Sequence, residues 1–301
     1  MSSEFQLTLP AFAKINLRLH VTGRRADGYH DLDTVFQTIS LHDTIELRLI
    51  DGPHIILSGD DRTLTNNDEN LVIRAAKSLQ AFSGADQGAR IRLQKRIPMQ
   101  AGLGGGSSDA AATLIGLSRL WRLDLAQPEL ATIGSHLGAD VAVFFFGGSA
   151  HAAGIGDQIE ILEDVAERFL LIVKPNANIN TADAYAALDE RSLTSHNSKT
   201  ILSSSRQSAD SDKIGIANLT NDFEAVVFEL EPEIRRAKNA LMQAGANAAL
   251  LAGSGSAVFG VFDSEDAQRR AIQAIELETG WRVFPCRTVG RQEYRDALSL
   301  S

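Results

Sequence analysis

One stretch limits what this 301-residue chain can fold into more than any other: PMQAGLGGGSSDAAATL, residues 98–114. Glycine fills four of the five positions from 102 to 106, and an alanine-rich run follows. A flexible linker would be flanked by polar, structureless sequence. Here residues 90–97 alternate like a strand through Ile91, Leu93 and Ile97, while Leu114, Ile115 and Leu117 predict a helix over about Ser108–Arg119. The glycines therefore stand at a helix entry, where bare N–H groups and the positive dipole end can hold an anion. Glycine lets the backbone approach phosphate oxygens closely, and Ser107 and Ser108 add hydroxyls that can donate or meet a magnesium ion. A tight structural turn is the alternative.

Spacing removes two familiar phosphate loops. Walker A requires Gly-Lys-Ser/Thr, and no lysine lies here. The dinucleotide fingerprint needs glycine where Ser107 stands and an acidic residue about 20 positions on. A nucleotide loop of a third kind fits better. Composition narrows the partners: 29 basic against 38 acidic residues, a net charge of −9, argues against non-specific nucleic-acid binding. The lone Cys286 rules out an intrachain disulfide. No apolar run reaches the roughly 18 residues of a membrane span, and MSSEFQLTLP is too polar and acidic for a signal peptide. The expected compartment is the cytoplasm.

Along the chain, residues 5–21 alternate as strand, with an interruption expected near Pro10, and GRRADGYHD (23–31) reads as a polar hairpin turn. Strands are predicted at 35–40, 44–50 and 54–58, and a helix over 70–82 capped by Asn70. A second helix should run from Pro128 to Gly138, ahead of the short apolar run Val141–Phe146. Strands at 169–173, 248–251 and 257–262 and a helix over 231–244 follow. Residues 191–212 carry eight serines and read as an exposed excursion. Two α+β halves meet near 150–165, giving expected domains of 1–160 and 161–301.

Phosphoryl transfer to a small alcohol needs a positioned hydroxyl, a carboxylate to take its proton and a cation to spread charge. Asp140 precedes an apolar run and suits the carboxylate, although a helix-end aspartate is the plainer reading. Lys14 sits inside an apolar strand pattern, as catalyst or as edge lysine, with Asn16 on the same face. Tyr29-His30 in the turn offers a stacking ring and an imidazole, or simply an exposed turn. The histidines show no metal-ligand spacing.

Together these residues resemble the GHMP small-molecule kinases, whose second motif, Pro-x-x-x-Gly-Leu-Gly-Gly-Gly-Ser-Ser, is matched at 98–108. AFAKINLRLHVTGRRADGYHDLDTVFQTI (11–39), ENLVIRAAKSLQ (69–80), HLGADVAVFFFGGSA (136–150), INTADAYAAL (179–188), NDFEAVVFELEPEI (221–234) and LLAGSGSAVFG (250–260) extend the likeness over nearly the whole chain. They are most similar to the branch that phosphorylates a cytidyl diphosphate methylerythritol on the non-mevalonate isoprenoid route.

The resemblance implies an α+β fold: an N-terminal domain like ribosomal protein S5 domain 2, a ferredoxin-like C-terminal domain, and the active site in the cleft between. ATP is the implied co-substrate, with Mg2+ travelling on it and no protein ligand for the metal assigned. Carried over by position, Asp140 would be the general base and Lys14 would orient the hydroxyl. Asn16, Tyr29, His30, Thr181 and Tyr185 would bind substrate, with the cytosine sandwiched between Tyr29 and Tyr185 and hydrogen-bonded by His30. Pro98, Met99, Gln100, Ala101, Gly102, Leu103, Gly104, Gly105, Gly106, Ser107 and Ser108 would cradle ATP phosphates, Asn70 and Lys95 would contact its nucleoside, and the turn at 253–256 would support the loop. Departures are few: Ala142 replaces a common proline, Leu251-Ala252 a common Met-Ser or Met-Thr, and Tyr185 a frequent phenylalanine. A monomer or weak homodimer is expected, with no nucleic-acid or membrane partner. The alternatives are a relative acting on homoserine, mevalonate or a sugar, or a nucleotide-binding regulator without turnover.

Overall fold

The computed structural model describes residues 6–60, 69–194 and 218–300. Strand β1 (Leu7–Arg24) turns through the predicted hairpin into β2 (His30–Ile50), followed by β3 (Ile55–Gly59), α1 (Leu71–Ser83) and β4 (Gly88–Gln94). The glycine loop leads into α2 (Gly105–Leu120), α3 (Gln127–Ser135), a 3-10 helix (Ala139–Phe145), β5 (Ser149–Gly154) and β6 (Gln158–Ile161). After β7 (Phe169–Lys174) come α4 (Thr181–Thr194), β8 (Thr220–Asn221), α5 (Glu224–Leu230), α6 (Pro232–Gln243), β9 (Ala248–Leu251), β10 (Val258–Phe262), α7 (Glu265–Ile275), β11 (Arg282–Arg287) and α8 (Arg291–Ala297). The serine-rich stretch opens as the last turn of α4, and from residue 195 to 212 it lies outside the described residues.

The first sheet runs β3-β4-β2-β1-β8, with β5 and β6 branching from β2, and the second runs β11-β7-β10-β9, antiparallel throughout. Leu9 and Ala11 of β1 pack under α1 and α2. Ala13, Ile15 and Leu17 instead meet Leu170, Ile172, Leu250 and Phe259 of the second sheet. Odd positions change cores where the β1–β2 register shifts: Ala13 alone lies between the pairs Phe12–His42 and Lys14–Thr38, opposite three residues of β2. Past that shift Lys14 stands over the Phe36 ring and faces Asp140 of the 3-10 helix.

The chain recrosses the proposed boundary. Parallel β8 adds to β1 at Arg18 and Leu19, and Val289, Tyr294 and Leu298 return to the core beneath α2. Several local expectations differ from what forms. Pro10 does not interrupt β1: among the described residues β8 lies beside β1 only at Arg18 and Leu19, and no second ladder there needs a donor at Pro10. The strands expected at 35–40 and 44–50 are one strand, bridged by continuous pairing with β1, β4 and β5. The run at 141–146 is 3-10 helix over Ala139–Phe145, and α3 stops at Ser135 rather than Gly138, whose backbone is extended.

Candidate active site

The predicted helix starts three residues earlier than its apolar pattern indicated, so Gly105 and Gly106 form its first turn behind a left-handed Gly104 N-cap (φ 70°). Gly104 has no room for a side chain. A Cβ there would lie 2.7 Å from Phe144 Cζ and 3.2 Å from Lys14 Cγ. Residues Pro98–Ser107, with Asn70, Lys95 and Asp109, line an open cavity of about 380 Å³, within the range of small-molecule sites. Ser108 is 2% exposed and does not line the cavity. Asn70 caps α1 by accepting from the Val72 N–H at 2.9 Å.

The 253–256 turn braces this loop directly. Ser256 and Ala257 donate their backbone N–H to the Gln100 and Ala101 carbonyls, and a Cβ on Gly102 would stand 1.8 Å from Ala252 O. Asn221 holds the turn by donating to Leu251 O and Gly253 O at 2.9 and 2.7 Å.

Lys95 is gripped from below the loop by Asp43 at 2.5 Å and Asp109 at 2.7 Å. Burial works against the Lys95 charge, but Asp109 and Asp43 outweigh it and hold the ammonium above its ordinary pKa. Burial lifts the Asp109 carboxyl well above the usual range, against the pull of Lys95. Asp109 Oδ1 is buried without a hydrogen-bond partner among the described residues.

On the other side of the loop, the Lys14 backbone N–H donates to Leu103 O at 3.0 Å. Its side chain is tethered to Asn16 Oδ1 at 2.9 Å, lies 5.0 Å over the Phe36 ring and faces Asp140 Oδ2 at 3.5 Å. The Lys14 side chain is 6% exposed and that of Asp140 41%. A cation held in the wall thus faces a carboxylate open to the cleft. The structure brings Lys14 and Asp140, 126 positions apart in the sequence, to 3.5 Å, with Asn16 bonded to the lysine.

In the aromatic cluster Tyr185 stacks on His30 (centroids 4.6 Å, 22° between planes) and meets Phe223 edge-on. Tyr29 is 64% exposed at the hairpin tip. Burial, reinforced by the negative charge of Asp140, lifts the Tyr185 hydroxyl to about 12, so it stays a neutral donor beside the carboxylate. Asp189 contacts His30 Nε2 at 2.8 Å and pairs with Arg24 at 3.4 Å. Thr181 Oγ1 meets Ser254 Oγ at 2.9 Å, joining the start of α4 to the bracing turn. Sequence reasoning missed Asp43, Asp109, Asp189 and Asn221. Asp109 carried a signal, an acid within a buried alanine run one turn into a helix; the others depend on contacts remote in sequence.

A glycine-rich helix entry beside a lysine–carboxylate pair is the arrangement expected of a small-molecule kinase. The family model for the GHMP kinases N terminal domain matches residues 70–148, and that for the GHMP kinases C terminal matches 196–279. A 4-diphosphocytidyl-2-C-methyl-D-erythritol kinase of Solibacter usitatus is 43% identical over 298 residues, 98% of this chain and 92% of the relative. A crystal structure of a 4-(cytidine 5'-diphospho)-2C-methyl-D-erythritol kinase superposes with a TM-score of 0.78 at 31% identity, covering 94% of this chain and all of that one. A crystal structure of L. major mevalonate kinase in complex with R-mevalonate shares the fold at TM-score 0.73 and 14% identity over 95% of this chain and 96% of its own. The chain belongs to the GHMP kinases and, within them, to the 4-diphosphocytidyl-2-C-methyl-D-erythritol kinase family.

Proposed function

We propose that this kinase transfers the γ-phosphoryl of ATP to the 2-hydroxyl of 4-diphosphocytidyl-2-C-methyl-D-erythritol, giving the 2-phosphate and ADP, on the non-mevalonate route to isopentenyl diphosphate. The observation that carries the reading is the Lys14–Asp140 pair at 3.5 Å, set against the glycine loop by the Lys14 N–H to Leu103 O bond. Asp140 accepts the hydroxyl proton as the new O–P bond forms. The bond from the γ-phosphorus to the bridging oxygen breaks, and ADP departs with the electron pair. Lys14 holds the attacking oxygen and offsets its developing charge. The backbone N–H groups at the start of α2 hold the phosphates, and Asn70 and Lys95, which line the same cavity, contact the nucleoside.

The cytosine is read into the cluster of Tyr29, His30 and Tyr185. For Tyr29 to stack on the base, the exposed hairpin tip must fold over it. Magnesium fits the oxygens that line the cavity: the Ser107 hydroxyl and Asp109, whose Oδ1 lacks a hydrogen-bond partner among the described residues. Bound there, it would neutralise phosphate charge. The halves 1–160 and 161–301 are read as the two sides of the cleft, in a cytoplasmic monomer or weak homodimer. A coupled ADP-release assay over a panel of alcohols tests the substrate. Turnover with the cytidyl diphosphate methylerythritol and not with homoserine, mevalonate or a sugar is expected; the reverse preference overturns the reading.

A further inference from the structure

Thr34 lies at the end of a hydrogen-bond chain that reaches the reacting centre without touching it. It sits on β2, paired with Leu19 on one side and Ala152 on the other, and is 1% exposed. Its hydroxyl donates to Arg18 O at 2.7 Å, and its oxygen accepts from Asn16 Nδ2 at 2.8 Å. Asn16 Oδ1 in turn accepts from Lys14 Nζ at 2.9 Å.

The order of donors settles which way the Asn16 amide faces. A hydroxyl has one proton, and Thr34 commits it to the Arg18 carbonyl, so toward Asn16 its oxygen can only accept. Reversing the amide would set NH2 against the Lys14 ammonium, donor against donor, and oxygen against an oxygen whose proton is engaged elsewhere. Asn16 is 1% exposed, so water cannot repair either mismatch.

We infer that Thr34 is a positioning residue for the phosphoryl-transfer step: by orienting the Asn16 amide it tethers Lys14 and keeps the ammonium from closing onto Asp140. The present spacing is consistent with that tether, since Lys14 stands 2.9 Å from Asn16 but 3.5 Å from the opposite charge. A carboxylate clasped by its own lysine has fewer lone pairs to offer a substrate hydroxyl. This inference rests on the reading of Lys14 and Asp140 as the catalytic pair, and on no property of the nucleotide cavity.

The test is steady-state and single-turnover kinetics of Thr34→Val, nearly the same size but without the hydroxyl, and of Thr34→Ser, which keeps it. Thr34→Val should lower kcat and the single-turnover rate by about 10- to 100-fold, the scale of an ångström-level misplacement, while KM for ATP stays within about twofold. Thr34→Ser should recover kcat to within about threefold of the parent enzyme. Should Val fail to fold there, Thr34→Ala must show the same split. Full kcat in Thr34→Val, a loss that serine does not recover, or an equal weakening of ATP binding would each overturn the inference. Asp140→Asn, measured alongside, separates the two readings: an active Asp140→Asn defeats the catalytic pair itself, whereas an inactive one beside a fully active Thr34→Val defeats only the role of Thr34.

Discussion

Two lysines flank the glycine loop, and they are held in opposite ways. Lys95 is clamped by two carboxylates at 2.5 and 2.7 Å, and the side chains of Asp43 and Asp109 are 0% and 4% exposed. Lys14 has one charged partner, 3.5 Å away and 41% exposed, and its closest bond is to a neutral amide. Buried ion pairs with every donor matched are rigid and intolerant of losing a member. A cation set 3.5 Å from an open carboxylate keeps both groups available to a third. Both lysines were expected at the site: Lys95 is clamped by two carboxylates and also lines the cavity, while Lys14 faces the exposed carboxylate of Asp140.

The comparison is broken most severely by removing Asp43. Its carboxylate also accepts from the backbone N–H groups of Arg96 and Ile97, at 2.5 and 2.8 Å. Asp43→Ala should therefore cost about 3–5 kcal/mol, measured by denaturant unfolding. A loss below about 1 kcal/mol would mean that Lys95 is not locked.

Asp140→Asn should do the opposite, lowering kcat by about 10²-fold, or about 2.7 kcal/mol of barrier, with stability unchanged within about 0.5 kcal/mol. Near-parental turnover would remove Asp140 as the base.

The contrast between held and open groups extends to the rings, His30 being held by Asp189 and Tyr185 while Tyr29 is exposed. Tyr29→Ala should raise KM for the cytidyl substrate about tenfold, near 1.4 kcal/mol, and leave KM for ATP within about twofold. Equal effects on the two substrates would argue against stacking.

The smallest effect concerns His20, which meets Asp222 at 3.0 Å with both side chains about one-third exposed. The hydrogen bond to Asp222 raises the His20 pKa above 6.5, burial opposing. The folded state therefore binds the proton more tightly. The contribution is fully present below pH 6.5 and fades as pH rises through the folded value. At this exposure it should stay below about 1 kcal/mol. Unfolding measured against pH for His20→Asn should lack that slope, and a slope that persists would assign it to another group.

Much of the nucleotide side was legible in the sequence because its signals are local. Dense glycine followed by a helix-forming run dictates a helix entry with bare N–H groups, found three residues ahead of its expected start, and Asn70 before an apolar period dictates a cap, found where expected. The hairpin turn at 25–29 was equally local, with Gly28 at φ 89° and Arg25 N–H bonded to Tyr29 O. The 3-10 helix was not legible, since a six-residue apolar run fits a strand or a helix until its packing partners are known. The stacking of His30 on Tyr185 was not legible either, because it depends on α4 arriving from 155 residues away and on Asp189 holding the imidazole.

The residue types needed for the chemistry were thus written in the chain: a glycine loop, a lysine in an apolar strand, a carboxylate before an apolar run. Which lysine faces the cleft was decided only in three dimensions. Past the register shift after Phe12, Lys14 faces Asp140, while Asp43 and Asp109 close around Lys95. Strand alternation and helix periodicity are set by near neighbours, but a bulge and a buried charge cluster arise from satisfying groups that meet only when distant segments pack.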